Sequence, residues 1–329
     1  MPLFIYFLGL AAGIAVLAWS ADIFVDGAAG LARRCGLSPL LVGMLVIGFG
    51  TSAPELMVSF LAALDGNPSI ALGNAYGSNV ANIGLILGLT AAISPIAVAD
   101  GVLRRDLPVL VGVTLASGAL LPNGVLSRGD GLILLLLFAV FLALNIRSER
   151  RRMAGAPPSS EPDEASAAPP WRLAAQIGGG LVLLAGSSQL LVKCAVHIAR
   201  SLGVSDLVVG LTVVAVGTSL PELASSLAAI RRHEHDLALG NIVGSNFFNT
   251  LAVVGLAAVT RPIVGSEAQS ITYLIRRDYP VMLGVTLLLL VFCVPPRRGA
   301  RAVINRFEGA VMLAVYLGYT AYLVAKARA

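Results

Sequence analysis

The chain has 329 residues, of which 57% are hydrophobic and only 12% are charged. Its mean hydropathy is +0.86, so it has too little polar surface to cover a water-soluble globule of this size. The formal net charge of +5 is spread over breaks between apolar stretches rather than gathered in one patch. This distribution argues against nucleic acid as a partner and predicts a protein embedded in a lipid bilayer.

Apolar stretches of about 20 residues cross a hydrocarbon core of about 30 Å. The first stretch has no Lys or Arg before it and is longer than the apolar region of a secretory signal, so it is predicted to be an uncleaved span. The sequence therefore predicts an all-α polytopic membrane protein with ten transmembrane helices. They fall at about 3–30, 38–64, 69–94, 107–122, 130–146, 172–199, 206–230, 237–260, 279–295 and 307–325.

The Lys and Arg residues between these spans are divided unequally. The breaks after the odd-numbered spans contain fifteen Lys and Arg residues. The breaks after the even-numbered spans, together with the C-terminus, contain seven. By the positive-inside rule the richer side is cytoplasmic, which places both termini on the extracytoplasmic face. The three cysteines, Cys35, Cys194 and Cys293, have no C-x-x-C or Cys/His spacing, so neither a disulfide framework nor a metal site is predicted from them.

An internal repeat organises the chain. Gly-Thr-Ser-Ala-Pro-Glu at 50–55 recurs as Gly-Thr-Ser-Leu-Pro-Glu at 217–222, and Gly-Asn-Ala-Tyr-Gly-Ser-Asn at 73–79 recurs as Gly-Asn-Ile-Val-Gly-Ser-Asn at 240–246. Both pairs are separated by 167 positions. Arg-Arg-Asp-Leu-Pro at 104–108 also recurs, as Arg-Arg-Asp-Tyr-Pro at 276–280.

Each half contains five predicted spans, and an odd number of crossings makes the second copy start on the opposite side of the membrane. The predicted architecture is therefore two inverted five-helix repeats, an arrangement found in many secondary transporters. The first half covers residues 1–146 and the second covers 172–329. Between them, residues 147–171 include a run rich in Pro, Ala, Ser and Glu, which predicts a flexible cytoplasmic linker.

Glu55 and Glu222 lie well inside apolar segments, where an ionised carboxylate costs several kcal/mol unless it is paired or faces water or an ion. A structural pairing would explain one such residue. Two, at equivalent places of an inverted repeat and each preceded by Thr-Ser-x-Pro, favour a binding site.

Other oxygen donors accompany the two carboxylates. Pro54 and Pro221 break the helical hydrogen-bond ladder, which frees the carbonyls of Gly50 and Gly217. Further polar groups are Thr51, Ser52, Thr218, Ser219, Ser78, Asn82, Ser245 and Asn249. Ser78 and Asn82 are four residues apart, as are Ser245 and Asn249, so each pair shares a helical face. For Asn74 and Asn241, ligation and helix–helix hydrogen bonding both remain open.

This set of donors contains only oxygen, with two formal negative charges and no His or Cys. Such ligands suit hard cations such as Ca²⁺ and Na⁺ and disfavour zinc or copper. Mg²⁺ is less suited, because it sheds its water reluctantly. Two carboxylates neutralise one Ca²⁺ or share several Na⁺, so the two ions can compete for one site.

The paired GTSxPE and GNxxGSNxxN motifs resemble the α-repeats of the sodium/calcium exchanger family, within the cation/calcium antiporter superfamily, in its prokaryotic form. The resemblance implies a secondary active antiporter that exchanges Ca²⁺ for Na⁺ by alternating access in a prokaryotic inner membrane, without cofactors, nucleic acid or enzymatic activity. It also implies that Glu55 and Glu222 are the central calcium ligands, lined by Thr51, Ser52, Thr218, Ser219, Ser78 and Ser245. The backbone at Gly48 and Ala215 would add carbonyls.

Four alternatives stay open. Coupling to K⁺ is associated in the family with Asp at the position of Asn249, so Asn there argues against it. Coupling to H⁺ would have to use Glu55 or Glu222. A gated cation channel and an intramembrane hydrolase are further rivals, although no nucleophile and base accompany the glutamates.

The remaining ionisable residues are less informative. Asp22, Asp26 and Lys193 lie in or near the first spans of the two halves and are interpreted as inter-helix pairs or as side chains that reach the interface. His233-Glu234-His235 lacks the i, i+4 spacing of a helical zinc site and is expected to be solvated.

Overall fold

The computed structural model describes residues 3–66, 68–121, 124–155, 169–202, 215–262, 268–295 and 302–328. Nearly all of them are helical. Within these residues, six helices are long and apolar enough to cross a membrane, and a seventh span is added if the bent pair Pro39–Thr51 and Ala53–Leu64 counts as one.

The first half begins with the helix Leu3–Cys35. A broken helix follows, here called broken helix 1, which consists of Pro39–Val42, a π-helical turn Gly43–Ile47, and the segments Gly48–Thr51 and Ala53–Leu64. Motif helix 1 runs through Pro68–Val80, the π-helical segment Ala81–Leu87 and Gly88–Ile93. The half ends with Val102–Asp106, Leu107–Ala119 and Arg128–Gly155.

The second half repeats this order. It begins with Pro170–Ser201. Broken helix 2 consists of Ala215–Thr218 and Leu220–Arg231. Motif helix 2 comprises His235–Phe247, the π-helical segment Phe248–Val253 and Val254–Thr260. Two further helices, Ala268–Phe292 and Arg306–Arg328, complete it.

The motif helices form the centre of the molecule. Nearly every residue of motif helix 2 is buried, whereas the helices Leu3–Cys35 and Pro170–Ser201, which pack along each other, expose many large apolar side chains such as Phe4, Trp19 and Val182. The repeated motifs therefore lie inside, and the outer helices present the apolar surface that a bilayer covers.

A short antiparallel sheet is the one feature that an all-α prediction omits. Strand Ile96–Val98 pairs with Ala302–Ile304, with Ala97 opposite Val303. Strands of three residues contain too few alternations to produce a periodic signal, so this pairing was not predicted. The sheet joins the two halves at one end of the molecule.

The last helix of the first half extends into the segment predicted as a linker. The helix that ends the first half continues to Gly155, because Glu149 accepts hydrogen bonds from Arg152 and from the backbone N–H of Ser38, which anchors this last part of the helix. Residues 156–168 of the linker and the first part of the predicted 206–230 span lie outside the described residues.

Candidate functional site

Both Thr-Ser-x-Pro-Glu motifs break a helix at the same residue. Ser52, with φ −83° and ψ 1°, separates the two parts of broken helix 1, which meet at a bend of 44°. Ser219, with φ −92° and ψ 8°, does the same in broken helix 2. Pro54 and Pro221 then occupy the first turn of the following segment, where a missing N–H costs no hydrogen bond.

The breaks place both glutamates at helix N-termini in the protein interior. Glu55 and Glu222 each lie in the first turn of their segment, and each is 1% exposed. A helix N-terminus favours negative charge by roughly 0.3–1 kcal/mol, and more where it is partly buried.

Hydrogen bonds across the repeats assemble one site from both halves. Ser52 Oγ donates to Glu222 Oε1 at 3.2 Å, and Thr51 Oγ1 donates to Asn241 Oδ1 at 3.2 Å. Ser245 Oγ donates to the carbonyl of Gly48 at 3.3 Å. The structure thus brings Gly48, Thr51 and Ser52 of the first half next to Glu222 and Ser245 of the second.

Asn74 and Asn241 hold the two helices of each repeat together by the same contacts. Asn74 Nδ2 donates to Ser59 Oγ at 2.9 Å and to the Glu55 carbonyl at 3.3 Å. Asn241 Nδ2 donates to Ser226 Oγ at 2.9 Å and to the Glu222 carbonyl at 3.2 Å. Of the two possibilities left open by the sequence, these contacts favour helix–helix hydrogen bonding.

Asn82 and Asn249 differ from Asn74 and Asn241 in their hydrogen bonding. Each is the second residue of a π-helical segment, and π-helical turns are frequent at functional sites. Each is 1% exposed, yet neither the oxygen nor the nitrogen of either amide has a hydrogen-bond partner among the described residues. The segment that contains Asn82 packs against broken helix 2, and the segment that contains Asn249 packs against broken helix 1.

Carboxylate oxygens are unpartnered as well. Neither oxygen of Glu55, nor Oε2 of Glu222, nor Ser219 Oγ has a hydrogen-bond partner within the described part of the chain. A buried polar atom without a partner costs about 1–3 kcal/mol, and more if it is charged. Together with the two asparagines, these atoms form the kind of oxygen-rich interior that a dehydrated cation satisfies.

The other predicted residues take less direct positions. Ser78 is buried and Thr218 is half-buried, and both line a cavity of about 420 Å³ that also includes Asn74 and Asp278. Ala215 is the first residue of the helix Ala215–Thr218, three positions before Thr218, as Gly48 precedes Thr51.

Sequence reasoning missed two contributors. Ser188 Oγ donates to the carbonyl of Gly217 at 2.6 Å, so the oxygen that Pro221 leaves free is occupied. The repeat offset pairs Ser188 with Ala21, so the motif comparison contained no signal for it. Asn79 Nδ2 donates to Thr250 Oγ1 at 2.7 Å; Asn79 was visible as part of the repeated Gly-Ser-Asn, but its partner was not.

Comparison with known proteins agrees with this geometry. The sequence model of the sodium/calcium exchanger protein family matches residues 5–147 and 173–325. The chain belongs to the sodium/calcium exchanger family. The protein CaxA of Alkalimonas amylolytica is 44% identical over 310 residues, which cover 93% of this chain and 95% of CaxA.

Two further relatives extend the match. The sodium/calcium exchanger MaX1 of Methanosarcina acetivorans is 28% identical over 352 residues, covering 96% of this chain and 98% of MaX1. The structure of the sodium-calcium exchanger NCX_Mj soaked with zero Na⁺ and Ca²⁺ superposes with a TM-score of 0.81 at 29% identity, and the match covers 98% of this chain and 100% of that one. The similarity therefore spans both halves in order.

Proposed function

We propose that this membrane protein is an antiporter that exchanges Ca²⁺ for Na⁺ by alternating access. The observation that carries the proposal is the pair of buried glutamates, Glu55 and Glu222. Each lies in the first turn after the break of its helix, and each has a carboxylate oxygen with no hydrogen-bond partner among the residues that the structure describes. Two carboxylates balance one Ca²⁺, and the surrounding hydroxyl and amide oxygens suit Na⁺ equally well. The same donors therefore serve both ions in turn, as exchange requires.

We assign the ligand roles as follows. Glu55 and Glu222 supply the charge, and the neutral oxygens of the remaining residues complete the coordination of Ca²⁺ and Na⁺. Those residues are Thr51, Ser52, Thr218, Ser219, Ser78, Ser245, Asn82 and Asn249, with the carbonyls of Gly48 and Ala215. The amides of Asn82 and Asn249, which have no hydrogen-bond partner within the described part of the chain, support their inclusion most directly.

Contacts between the breaks support ten crossings and an inverted repeat. Breaks that follow odd-numbered predicted spans contact one another in pairs: the first with the fifth, the first with the seventh, and the third with the ninth. Glu149 Oε1 accepts from the Ser38 N–H, Arg33 lies 3.4 Å from Glu234, and strand Ile96–Val98 pairs with Ala302–Ile304. Segments on one face of a membrane must be separated by an even number of crossings, and ten spans satisfy every one of these contacts.

The opposite face follows the same rule. Gly66 follows the second predicted span, and Arg261 follows the eighth. A Cβ atom added at Gly66 would lie 3.3 Å from the Arg261 guanidinium, so these two breaks lie on one face. Two predicted spans, 107–122 and 279–295, are not among the apolar helices of membrane length in the described residues, and a charged triplet directly precedes each of them, Arg104-Arg105-Asp106 and Arg276-Arg277-Asp278. We therefore count Leu107–Ala119 and Ala268–Phe292 as spans, with both termini extracytoplasmic and the segment between residues 147 and 171 cytoplasmic.

The two faces differ in access to the site. Towards the proposed cytoplasmic side, broken helix 1 packs tightly on motif helix 2, since a Cβ at Gly244 would lie 2.5 Å from the Met44 carbonyl oxygen. Towards the other side, the 420 Å³ cavity reaches Asn74 and Ser78. We interpret this conformation as closed to the cytoplasm and open outward.

Flux in proteoliposomes tests the proposal. Purified protein reconstituted with Na⁺ inside should take up Ca²⁺ when the external buffer lacks Na⁺, and external Na⁺ should inhibit that uptake by competition. Equal imposed gradients of K⁺ or H⁺ should not drive uptake. Uptake driven by H⁺ or dependent on K⁺ would reassign the coupling ion, and Ca²⁺ flux that needs no counter-ion would indicate a channel.

A further inference from the structure

Ion pairs between the two halves lie on the proposed cytoplasmic side of the molecule. Arg232 Nη1 donates to Asp26 Oδ1. Asp22 Oδ1 lies 3.5 Å from Arg231 Nη2 and 3.9 Å from Arg232 Nη2. The two aspartates belong to the helix Leu3–Cys35 of the first half, whereas the two arginines lie at the end of broken helix 2. These pairs therefore hold the halves together on the side that is closed in this conformation.

The repeat assigns a counterpart to each member of the pair between Arg232 and Asp26. At the offset of 167 positions, Asp26 corresponds to Lys193 and Arg232 corresponds to Asp65. Both charges are reversed, so the counterpart pair is complementary again. Reversal at one position alone would have placed like charges opposite each other, which is unfavourable.

The turns that carry Arg232 and Asp65 are equivalent as well. Arg232 is followed by His233, with a φ of 60°. Asp65 is followed by Gly66, with a φ of 88°. A non-glycine residue with positive φ is uncommon, so the left-handed residue in both turns indicates one shared geometry. The two halves therefore present these opposite charges at the same place.

The counterpart pair is not formed in this conformation. Lys193 is exposed and makes no hydrogen bond or ion pair among the described residues. The helix Leu3–Cys35 packs against Leu220–Arg231. Its counterpart Pro170–Ser201 makes little or no contact with Ala53–Leu64 within the same described residues, and Ala53–Leu64 instead lines the outward cavity. The halves are thus joined on one side and apart on the other.

We propose that Lys193 and Asp65 form an ion pair when the site opens to the cytoplasm, while Asp26 and Arg232 separate. In transporters built from inverted repeats, alternating access moves one part of the protein against the other around a fixed site. If the two repeats exchange conformations, each contact of one half is replaced by its counterpart in the other. The inference rests on the proposed alternating access but not on which ions are exchanged. It makes Lys193 and Asp65 positioning residues that hold one access state.

Cross-linking of cysteine pairs in the purified full chain tests the proposal. In a background with Ser in place of all three native cysteines, one variant carries Asp26→Cys with Arg232→Cys, and a second carries Asp65→Cys with Lys193→Cys. A short bifunctional thiol reagent is added, and intact mass counts the cross-links. Each variant should form its cross-link. A third variant with all four cysteines should acquire one cross-link per molecule and not two.

Ala195 provides the matched control. It lies two positions from Lys193 and therefore about 200° around the helix, so Asp65→Cys with Ala195→Cys should not cross-link. Equal cross-linking at 193 and 195, or none at 193, would overturn the proposal, as would two cross-links in one molecule. The readout needs neither Na⁺ nor Ca²⁺, so its result is separate from that of the flux experiment on the exchanged ions.

Charge reversal separates an ion pair from mere proximity. Lys193→Asp places two carboxylates opposite each other and should slow exchange about two- to fivefold, the usual effect of an exposed ion pair. Asp65→Arg added to Lys193→Asp copies the charges of the other half and should restore the rate. Arg128→Asp, an exposed change on the same proposed face, should leave the rate unchanged. A double variant as slow as Lys193→Asp alone would show that the two charges never meet.

Discussion

At the scale of single residues, the proposed site depends on its two glutamates to balance the charge of a divalent ion. Gln keeps the shape of Glu but removes one charge, so Glu55→Gln or Glu222→Gln leaves a bound Ca²⁺ incompletely neutralised. We expect each variant to lower Ca²⁺ flux roughly a hundredfold or more, since loss of one partner of a buried charge pair costs about 3–5 kcal/mol. The measurement is flux per correctly inserted molecule in proteoliposomes.

Folding serves as the control for these variants. A neutral amide is cheaper to bury than an unpaired carboxylate, so both proteins should accumulate in the membrane at the level of the unmodified chain. Near-normal flux in either variant would contradict the shared site. Poor accumulation combined with normal flux per inserted molecule would instead assign the glutamates a structural role.

The asparagines of motif helix 2 provide a comparison within one helix. Asn249→Ala removes an amide that has no hydrogen-bond partner among the described residues, so thermal stability should stay the same while the apparent affinity for Ca²⁺ falls about tenfold. Asn241→Ala removes bonds to the Glu222 carbonyl and to Ser225 and Ser226, and should reduce stability by about 1–3 kcal/mol. Differential scanning fluorimetry and Ca²⁺ titration distinguish the two. A stability loss confined to Asn249→Ala would remove it from the ligand set.

At the scale of helices, the close packing of broken helix 1 on motif helix 2 makes a glycine necessary. At Gly244 an added Cβ would lie 2.5 Å from the Met44 carbonyl oxygen and 2.6 Å from its Cα, and backbone atoms cannot move aside as a side chain can. Gly244→Ala should therefore lower stability by roughly 1–3 kcal/mol, measured as a lower thermal midpoint in detergent.

Gly186 is the matched control for this substitution. It lies on the exposed face of the helix Pro170–Ser201 and has no atom within 4 Å of its added Cβ. Gly186→Ala should leave the thermal midpoint unchanged or raise it, because Ala is favoured over Gly within a helix by roughly 0.5–1 kcal/mol. Equal losses in both variants would show that the close packing is not what limits stability.

At the scale of the whole molecule, the proposed ten-span topology makes a prediction about sidedness. In a background with Cys35, Cys194 and Cys293 replaced by Ser, Ala154→Cys on the proposed cytoplasmic side should resist an impermeant maleimide added to intact cells. Arg128→Cys, at the other end of the same helix, should react. Both positions should react after the cells are permeabilised. Labelling of Ala154→Cys from outside would reverse the orientation, and equal labelling of both would contradict the span.

The amino-acid sequence alone determined the class of the protein and the chemistry of its candidate site. Burial in lipid requires long apolar stretches, and a charge inside such a stretch is rare enough to mark function, so Glu55, Glu222 and their repeated motifs were visible from composition and spacing. The repeat also predicted which positions correspond. The apolar stretches and the motifs are local features, because each depends on residues close together in the chain, and the repeat was recognised because the same short motifs recur.

Only the tertiary structure decided which of these residues meet and which merely support the others. Contacts such as Ser52 with Glu222, Thr51 with Asn241 and Ser188 with the Gly217 carbonyl join residues far apart in sequence, and no spacing rule encodes them. Asn82 and Asn241 belong to the same repeated motif and both looked like candidate ligands. They differ because hydrogen-bond satisfaction depends on the packing of neighbouring helices: Asn241 has its amide occupied, whereas Asn82 has a buried amide with no partner among the described residues.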